Sequence, residues 1–197
     1  MTLPSLLVLL SAALLATRAE ASQGAIYWVP SLPTAGTKDH TPDFTLRGMG
    51  AEAMYRVRPQ IDLGISFRIV YFRNEQENQT YTPSSSTAIT GRLFRSTESF
   101  PVLFHGRYLF PEDGGFSPFV GLGIGPAYVQ KDLSIGTFVY NAFGWQFMLA
   151  PELGFSYAPP ASRYGAYFNL RYDAGFGTDA VSAVSYLSFA LGIQSRL

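Results

Sequence analysis

The side chains able to do chemistry in this sequence are few and widely spaced. There are two histidines, His40 and His105, and no cysteine, which excludes thiolate nucleophiles, thiolate metal sites and disulfides. Eight titratable or charged residues stand out by position: Glu52, Asp62, Arg68, His105, Arg107, Glu152, Arg171 and Asp173. Each occupies the polar phase of a segment whose alternate positions are apolar. A carboxylate or guanidinium enclosed alone is costly, so the chemistry expected of this set is mutual compensation, a closed network of ion pairs. Counting from neighbouring turns puts Glu52 level with Arg68 and Glu152 level with Arg171. His105 then fills a hydrogen-bond slot or serves as a proton-sensitive group on a path through the set.

Other chemistries find less support. His40, beside Asp39 and before Pro42, could approach Ser84, Ser85 or Ser86 as part of a hydrolytic triad, but no nucleophile elbow surrounds those serines. Gly121-Leu122-Gly123-Ile124-Gly125 lacks the spacing of a dinucleotide fingerprint and suits small residues on a strand. No metal-ligand spacing occurs, so neither a metal nor any other cofactor is expected, and the chain reads as non-enzymatic. Fourteen basic and fourteen acidic residues cancel; without a basic stripe, nucleic acid is excluded as a partner.

The elements that position these residues alternate with a period of two. From Tyr164 to Phe176, the residues Tyr164, Ala166, Phe168, Leu170, Tyr172, Ala174 and Phe176 share one face, and Gly165, Tyr167, Asn169, Arg171, Asp173 and Gly175 the other. Phe143 to Tyr157 repeats the pattern. So do segments around Ile61–Tyr71, Val102–Tyr108, Val120–Ile124 and Leu187–Ile193, with weaker versions at Phe44–Val57 and Ala25–Ser31. The apolar faces carry aromatic residues towards both ends, as the interfacial girdles of a membrane barrel do. Short turns at Arg58-Pro59-Gln60, Pro111–Gly115 and Pro159–Ser162 alternate with connections at 32–43, 74–97, 131–141 and 178–182, read as mostly longer loops. Three turns and four loops join eight strands, and a sheet in hydrocarbon must close because no edge can stay unpaired there. The fold class is therefore all-β: a closed, antiparallel, eight-stranded transmembrane β-barrel over residues 22–197.

Residues 1–21 read as a signal peptide, with an apolar run from Leu6 to Leu15 and the small-x-small site Ala19-Glu20-Ala21. Charged residues make up only 14% of the chain and aromatics 15%, which suits a surface solvated by lipid.

The segments FTLRGMGAEAMY, IDLGISFRIVYF, SPFVGLGIGPAYV and RYGAYFNLRYDAGFG resemble the glycine-and-aromatic strands of the OmpA/OmpX-type small outer-membrane barrels. The resemblance implies residence in the bacterial outer membrane, with outer-membrane lipid and lipopolysaccharide as surroundings and the barrel assembly machinery as partner during insertion. Barrels of that type commonly end in an aromatic residue, where this chain has Leu197. The function expected is a structural or surface-interaction role, with the lumen plugged by ion pairs and the external loops making contacts. The alternative is a small-solute channel or hydrophobic-ligand conduit.

Overall fold

The computed structural model describes residues 22–84, 87–135, 138–159 and 162–196. The signal-peptide reading and Leu197 lie outside them. The strands are β1 (Ser22–Trp28), β2 (Ser31–Thr34), β3 (Gly48–Arg58), β4 (Ile61–Ser84), β5 (Thr87–Leu109), β6 (Phe116–Ile135), β7 (Phe138–Tyr157), β8 (Tyr164–Phe176) and β9 (Ser185–Arg196). One short helix, α1 (Ala35–His40), follows β2. All pairings are antiparallel, and the order β1-β3-β4-β5-β6-β7-β8-β9 is closed by β1 on β9. β2 continues β1 along the same edge of β9, from Ser31↔Ser188 to Thr34↔Ser185. Between them the carbonyl of Pro30 accepts from the Phe189 N–H. The two are one wall strand broken where Pro30 lacks an N–H, so the ring has eight members.

Prolines mark the other irregularities. The β4–β5 ladder is interrupted beside Pro101, β5–β6 beside Pro126 and β7–β8 beside Pro151. Each removes a ladder donor.

Two of the expected loops are strands. Residues 74–97 continue the β4–β5 ladder from Asn74↔Arg95 to Ser84↔Thr87, and 131–141 continue β6–β7 from Lys131↔Ala142 to Ile135↔Phe138. Their many polar residues hide them in the sequence, although the ladder still buries Leu93, Leu133 and Ile135 on one face. The expected 32–43 loop holds β2 and α1, and the first strand begins at Ser22 instead of Ala25.

Outward residues make an apolar wall that includes Ile26, Phe67, Phe104, Leu122, Ile124 and Leu153. Aromatic rings border it. At the short-turn end Tyr108 packs edge-on against Phe110 at 5.4 Å and Phe116 against Phe155 at 5.1 Å; at the other end Tyr128 meets Trp145 at 5.5 Å. Inside, the lumen is filled in two tiers. The tier towards the long hairpins is apolar, with Val70, Phe72, Leu103, Val129, Met148, Val184 and Tyr186 among its buried members. The tier towards the short turns is polar.

Candidate functional site

All eight residues singled out by spacing point inward and are buried: Glu52, Asp62, Arg68, His105, Arg107, Glu152, Arg171 and Asp173. Their partners differ from those that strand height suggested. Glu52 stands opposite Ser66, and Arg68 opposite Gly50. Glu152 and Arg171 are register neighbours, yet they do not pair. In so narrow a lumen an arginine reaches across as easily as along the wall, so height on adjacent strands does not choose the partner.

Arg107 is the centre of the network. Its Nη1 and Nη2 donate to both oxygens of Glu52, the second at 2.8 Å; its Nε donates to Glu152 Oε1; and Nη2 also reaches Tyr167 Oη at 3.0 Å. The guanidinium lies 4.5 Å from the centroid of Phe119, so ring faces and carboxylates share the compensation. Glu152 takes a further bond from Asn169 Nδ2 at 2.8 Å. Asp62 is held by Arg56 Nε at 2.8 Å. Among the described residues Arg68 has only neutral acceptors, Tyr27 Oη, Ser188 Oγ and Asn169 Oδ1, with the Tyr27 ring 5.0 Å away. Arg171 turns to Asp173 on its own strand: Nε to Oδ2 at 3.0 Å is a hydrogen bond, while Nη2 to Oδ1 at 2.7 Å is an ion-pair contact misaligned for one. The carboxylates Glu52, Asp62, Glu152 and Asp173 thus balance the guanidiniums Arg56, Arg68, Arg107 and Arg171. Spacing missed Arg56, Ser66, Tyr167, Asn169 and Ser188 as members of this network, although all fall in the inward phase that marks the others.

One chain within the network has the connectivity of a hydrolase. Ser66 Oγ is 2.7 Å from His105 Nε2, and His105 Nδ1 is 3.1 Å from Glu152 Oε1. Since a carboxylate only accepts, the proton belongs on Nδ1 and Nε2 accepts from the serine. Gly123 makes this possible, because a Cβ there would stand 2.6 Å from His105 Cε1. Nucleophilic attack also needs an open approach and an oxyanion site. Ser66 is 2% exposed, its oxygen accepts from Arg171 Nη1 at 3.3 Å, and His105 and Glu152 are 3% and 6% exposed. In this packing no substrate carbonyl reaches Oγ, and the three side chains link β4, β5 and β7 by hydrogen bonds. His40 lies at the hairpin end with Nε2 3.1 Å from the Asp132 carbonyl; Ser85 and Ser86, its proposed partners, are outside the described residues, as is the side chain of Ser84.

The hairpin end is also capped. α1 is tied down by Thr37 Oγ1, which accepts from the Ser185 N–H at 2.8 Å, and by the Thr41–Thr97 hydroxyl pair at 3.1 Å. The β8–β9 connection turns inward, where Lys131 Nζ donates to Ser182 Oγ at 2.7 Å and Gln146 Nε2 to the Ser182 carbonyl at 2.8 Å.

Above the cap, β4, β5, β6 and β7 rise as a four-stranded sheet with two unequal edges. Ala158 N–H donates to the Gly115 carbonyl, and the β6–β7 register runs unbroken from Phe116↔Tyr157 to Ile135↔Phe138. Even-numbered β7 residues therefore bond to β6, and odd-numbered ones face the β8 side. β8 pairs only from Phe147 onwards, so the N–H and C=O groups of Val139, Asn141, Phe143 and Trp145 have no backbone partner among the described residues. On β4, the Tyr71 N–H donates to the Arg47 carbonyl, and by the same parity the free positions beyond it include Arg73 and Glu75. Charge guards that edge against further pairing. The β7 edge is uncharged, with Val139 57% and Phe143 60% exposed.

No protein-family model and no curated protein matches the sequence. Solved structures do. The chain is similar to Ail, the attachment invasion locus protein of Yersinia pestis, solved in complex with the heparin analogue sucrose octasulfate: 13% identity, TM-score 0.54, covering 91% of this chain and 99% of Ail. It is similar to Neisserial surface protein A at 13% identity and TM-score 0.53, covering 90% and 96%. The outer membrane protease OmpT from Escherichia coli also superposes, at 6% identity and TM-score 0.52, covering 91% and 98%. With its ring of eight antiparallel strands and its match to Ail and the Neisserial protein, the chain has the fold of the small eight-stranded outer-membrane β-barrels of the OmpA/OmpX type.

Proposed function

We propose that this is an exported, non-enzymatic protein of the bacterial outer membrane, anchored by its apolar wall, that acts through the sheet it raises outside. Residues 1–21 are its export signal, and the barrel assembly machinery inserts the remainder. The short turns face the periplasm, because barrels of this kind keep their longer excursions external. The observation that carries the reading is the unguarded β7 edge, Val139 to Trp145, standing above a sealed lumen. A free strand edge offers main-chain hydrogen bonds to an added strand, and the neighbouring side chains select which strand. An uncharged, extended segment of another protein suits an edge bearing Val139, Asn141 and Phe143. That Ail is an attachment protein supports the reading. The filled lumen speaks against the small-solute channel or ligand conduit: Phe72, Met148 and Tyr186 occupy one tier and the Arg107 network the other. The likeness to OmpT extends only to fold, and the buried Ser66–His105–Glu152 chain supports a structural role.

The test uses the full barrel in nanodiscs and a labelled, end-capped peptide of alternating threonine and valine, read by fluorescence anisotropy. The peptide should bind, and its N-methylated counterpart should not. Val139→Pro deletes an N–H that β6 does not use, and should weaken binding about tenfold, the value of roughly one net hydrogen bond plus lost edge geometry. Equal binding of both peptides, or an unaffected Val139→Pro variant, would remove the edge from the account.

A further inference from the structure

We infer that the cleft between the β2–β3 connection and the free edge of β4 binds the phosphate-bearing headgroup of a lipid in the external leaflet. The inference rests on the outer-membrane reading above. The cleft is open to the surface, has a volume of about 600 Å³ and is lined by Asp43, Phe44, Thr45, Leu46, Arg47, Arg73 and Glu75.

Its wall is rigid. Thr45 exchanges backbone hydrogen bonds with Ser31, its Oγ1 donates to the Tyr71 carbonyl at 2.7 Å and accepts from the Arg47 N–H at 3.0 Å, and Trp28 Nε1 donates to the Leu46 carbonyl at 2.6 Å. This clamping on both sides turns Phe44 and Leu46 outward, where they are exposed beside the apolar wall. Two guanidiniums flank them. Arg47 lies over the Tyr71 ring at 5.8 Å and Arg73 over Phe94 at 5.3 Å. A cation resting on a ring keeps its N–H fork free for a planar or tetrahedral oxyanion.

The neighbouring acids are largely occupied elsewhere. Asp43 Oδ2 accepts from Asn74 Nδ2 at 2.7 Å, and Glu75 Oε1 takes Arg92 Nη2 at 3.0 Å while standing 4.0 Å from Arg73. Glu98 sits opposite Tyr71 across the ladder. Arg47 has no carboxylate partner among the described residues.

Height completes the match. Arg73 follows Tyr71 by one pleat, and Tyr71 pairs with Glu98, two residues from Phe100, which pairs with Tyr128 of the aromatic border. At about 3.3 Å per residue, the guanidiniums stand just outside that border, where headgroup phosphates lie, while Phe44 and Leu46 border the acyl chains. Two cations beside two apolar anchors fit an amphiphile better than a free anion.

Native mass spectrometry of the full barrel in neutral detergent tests this, with diphosphoryl lipid A as the probe and inorganic phosphate and dephosphorylated lipid A as controls. We expect wild-type protein to retain diphosphoryl lipid A in preference to the dephosphorylated form. The variant carrying Arg47→Gln and Arg73→Gln should bind it at least about tenfold more weakly while keeping the heat-modifiable gel mobility of a closed barrel; Arg58→Gln, at a periplasmic turn, should change nothing. Equal retention by the double variant, equal retention of dephosphorylated lipid, competition by inorganic phosphate at matching concentration, or an equal loss in Arg58→Gln would each overturn the site. Wild-type protein without heat-modifiable mobility would overturn the outer-membrane reading and the site with it.

Discussion

Arg107→Ala should be among the most damaging single substitutions in the lumen. Arg107 is 5% exposed and its guanidinium holds two carboxylates, Glu52 and Glu152, that have no other cation bonded to them among the described residues; Glu152 otherwise takes only the His105 Nδ1–H and the Asn169 amide. Removing one partner of a single buried ion pair costs about 3 to 5 kcal/mol, because the charge left behind is neither solvated nor paired. Here two are left, facing each other, and the packing of the guanidinium on Phe119 is lost as well. We therefore expect about 4 kcal/mol or more, lowered to the extent that water enters from the short-turn end. The same reasoning predicts a rescue: Arg107→Met combined with Glu52→Gln and Glu152→Gln removes every charge together and should restore most of the loss. Reversible urea unfolding from lipid vesicles measures both, with Trp28 and Trp145 on the lipid-facing wall as fluorescent reporters. A single variant within about 1 kcal/mol of wild type, or a triple variant no more stable than the single, would refute the idea that charge compensation organises the lumen.

Two further predictions concern the wall and the cap. Leu122 lies on the wall midway between Phe116 and Tyr128 of the two aromatic borders, so Leu122→Arg should cost about 2 to 4 kcal/mol and Leu122→Ala much less, since lipid fills the space; equal costs in the same unfolding assay would place this face elsewhere than in hydrocarbon. His40, in the cap at the hairpin end, has its pKa lowered by partial burial, reinforced by Lys131 and Arg95 and opposed by its bond to the Asp132 carbonyl. Its neutral form is thus favoured when docked: the unfolded side chain binds the proton first as pH falls below about 6.5, so cap stability is full above that value and declines as pH drops towards the folded pKa. Hydrogen exchange of the Ala35–His40 amides should be faster at pH 5.5 than at pH 7.5 after correction for intrinsic rates, and His40→Gln should abolish the difference.

The wall and the inward set were legible in the sequence because lipid and lumen impose opposite chemistry on alternate residues. Tyr164 to Phe176 shows it best: seven outward side chains lie on the lipid side and Tyr167, Asn169, Arg171 and Asp173 are all buried. The pairing inside was not legible. Alternation says that Glu52 and Arg107 share an interior, but it does not say that they meet across it from β3 and β5, since nothing local couples those strands. Nor did it give Arg56 its role, although Arg56 and Asp62 are direct register partners. The hairpin extensions escaped for the opposite reason. There the buried face mixes Asn74, Thr97 and Lys131 with Leu93, Leu133 and Ile135, so the apolar alternation is diluted, and Asn74–Gln76 reads like a solvated loop despite pairing with Leu93–Arg95.

Single-channel recording in planar lipid bilayers tests the central claim, that the barrel anchors a surface-contact sheet and conducts nothing. The apolar tier around Phe72, Met148 and Tyr186, the Arg107 network beneath it and the cap latched by Lys131 and Gln146 should leave no continuous water path. Purified wild-type protein, confirmed as inserted by its heat-modifiable mobility, should show no steady open level under an applied potential. A stable, reproducible conductance from the same preparation would contradict the sealed lumen and give the channel reading precedence.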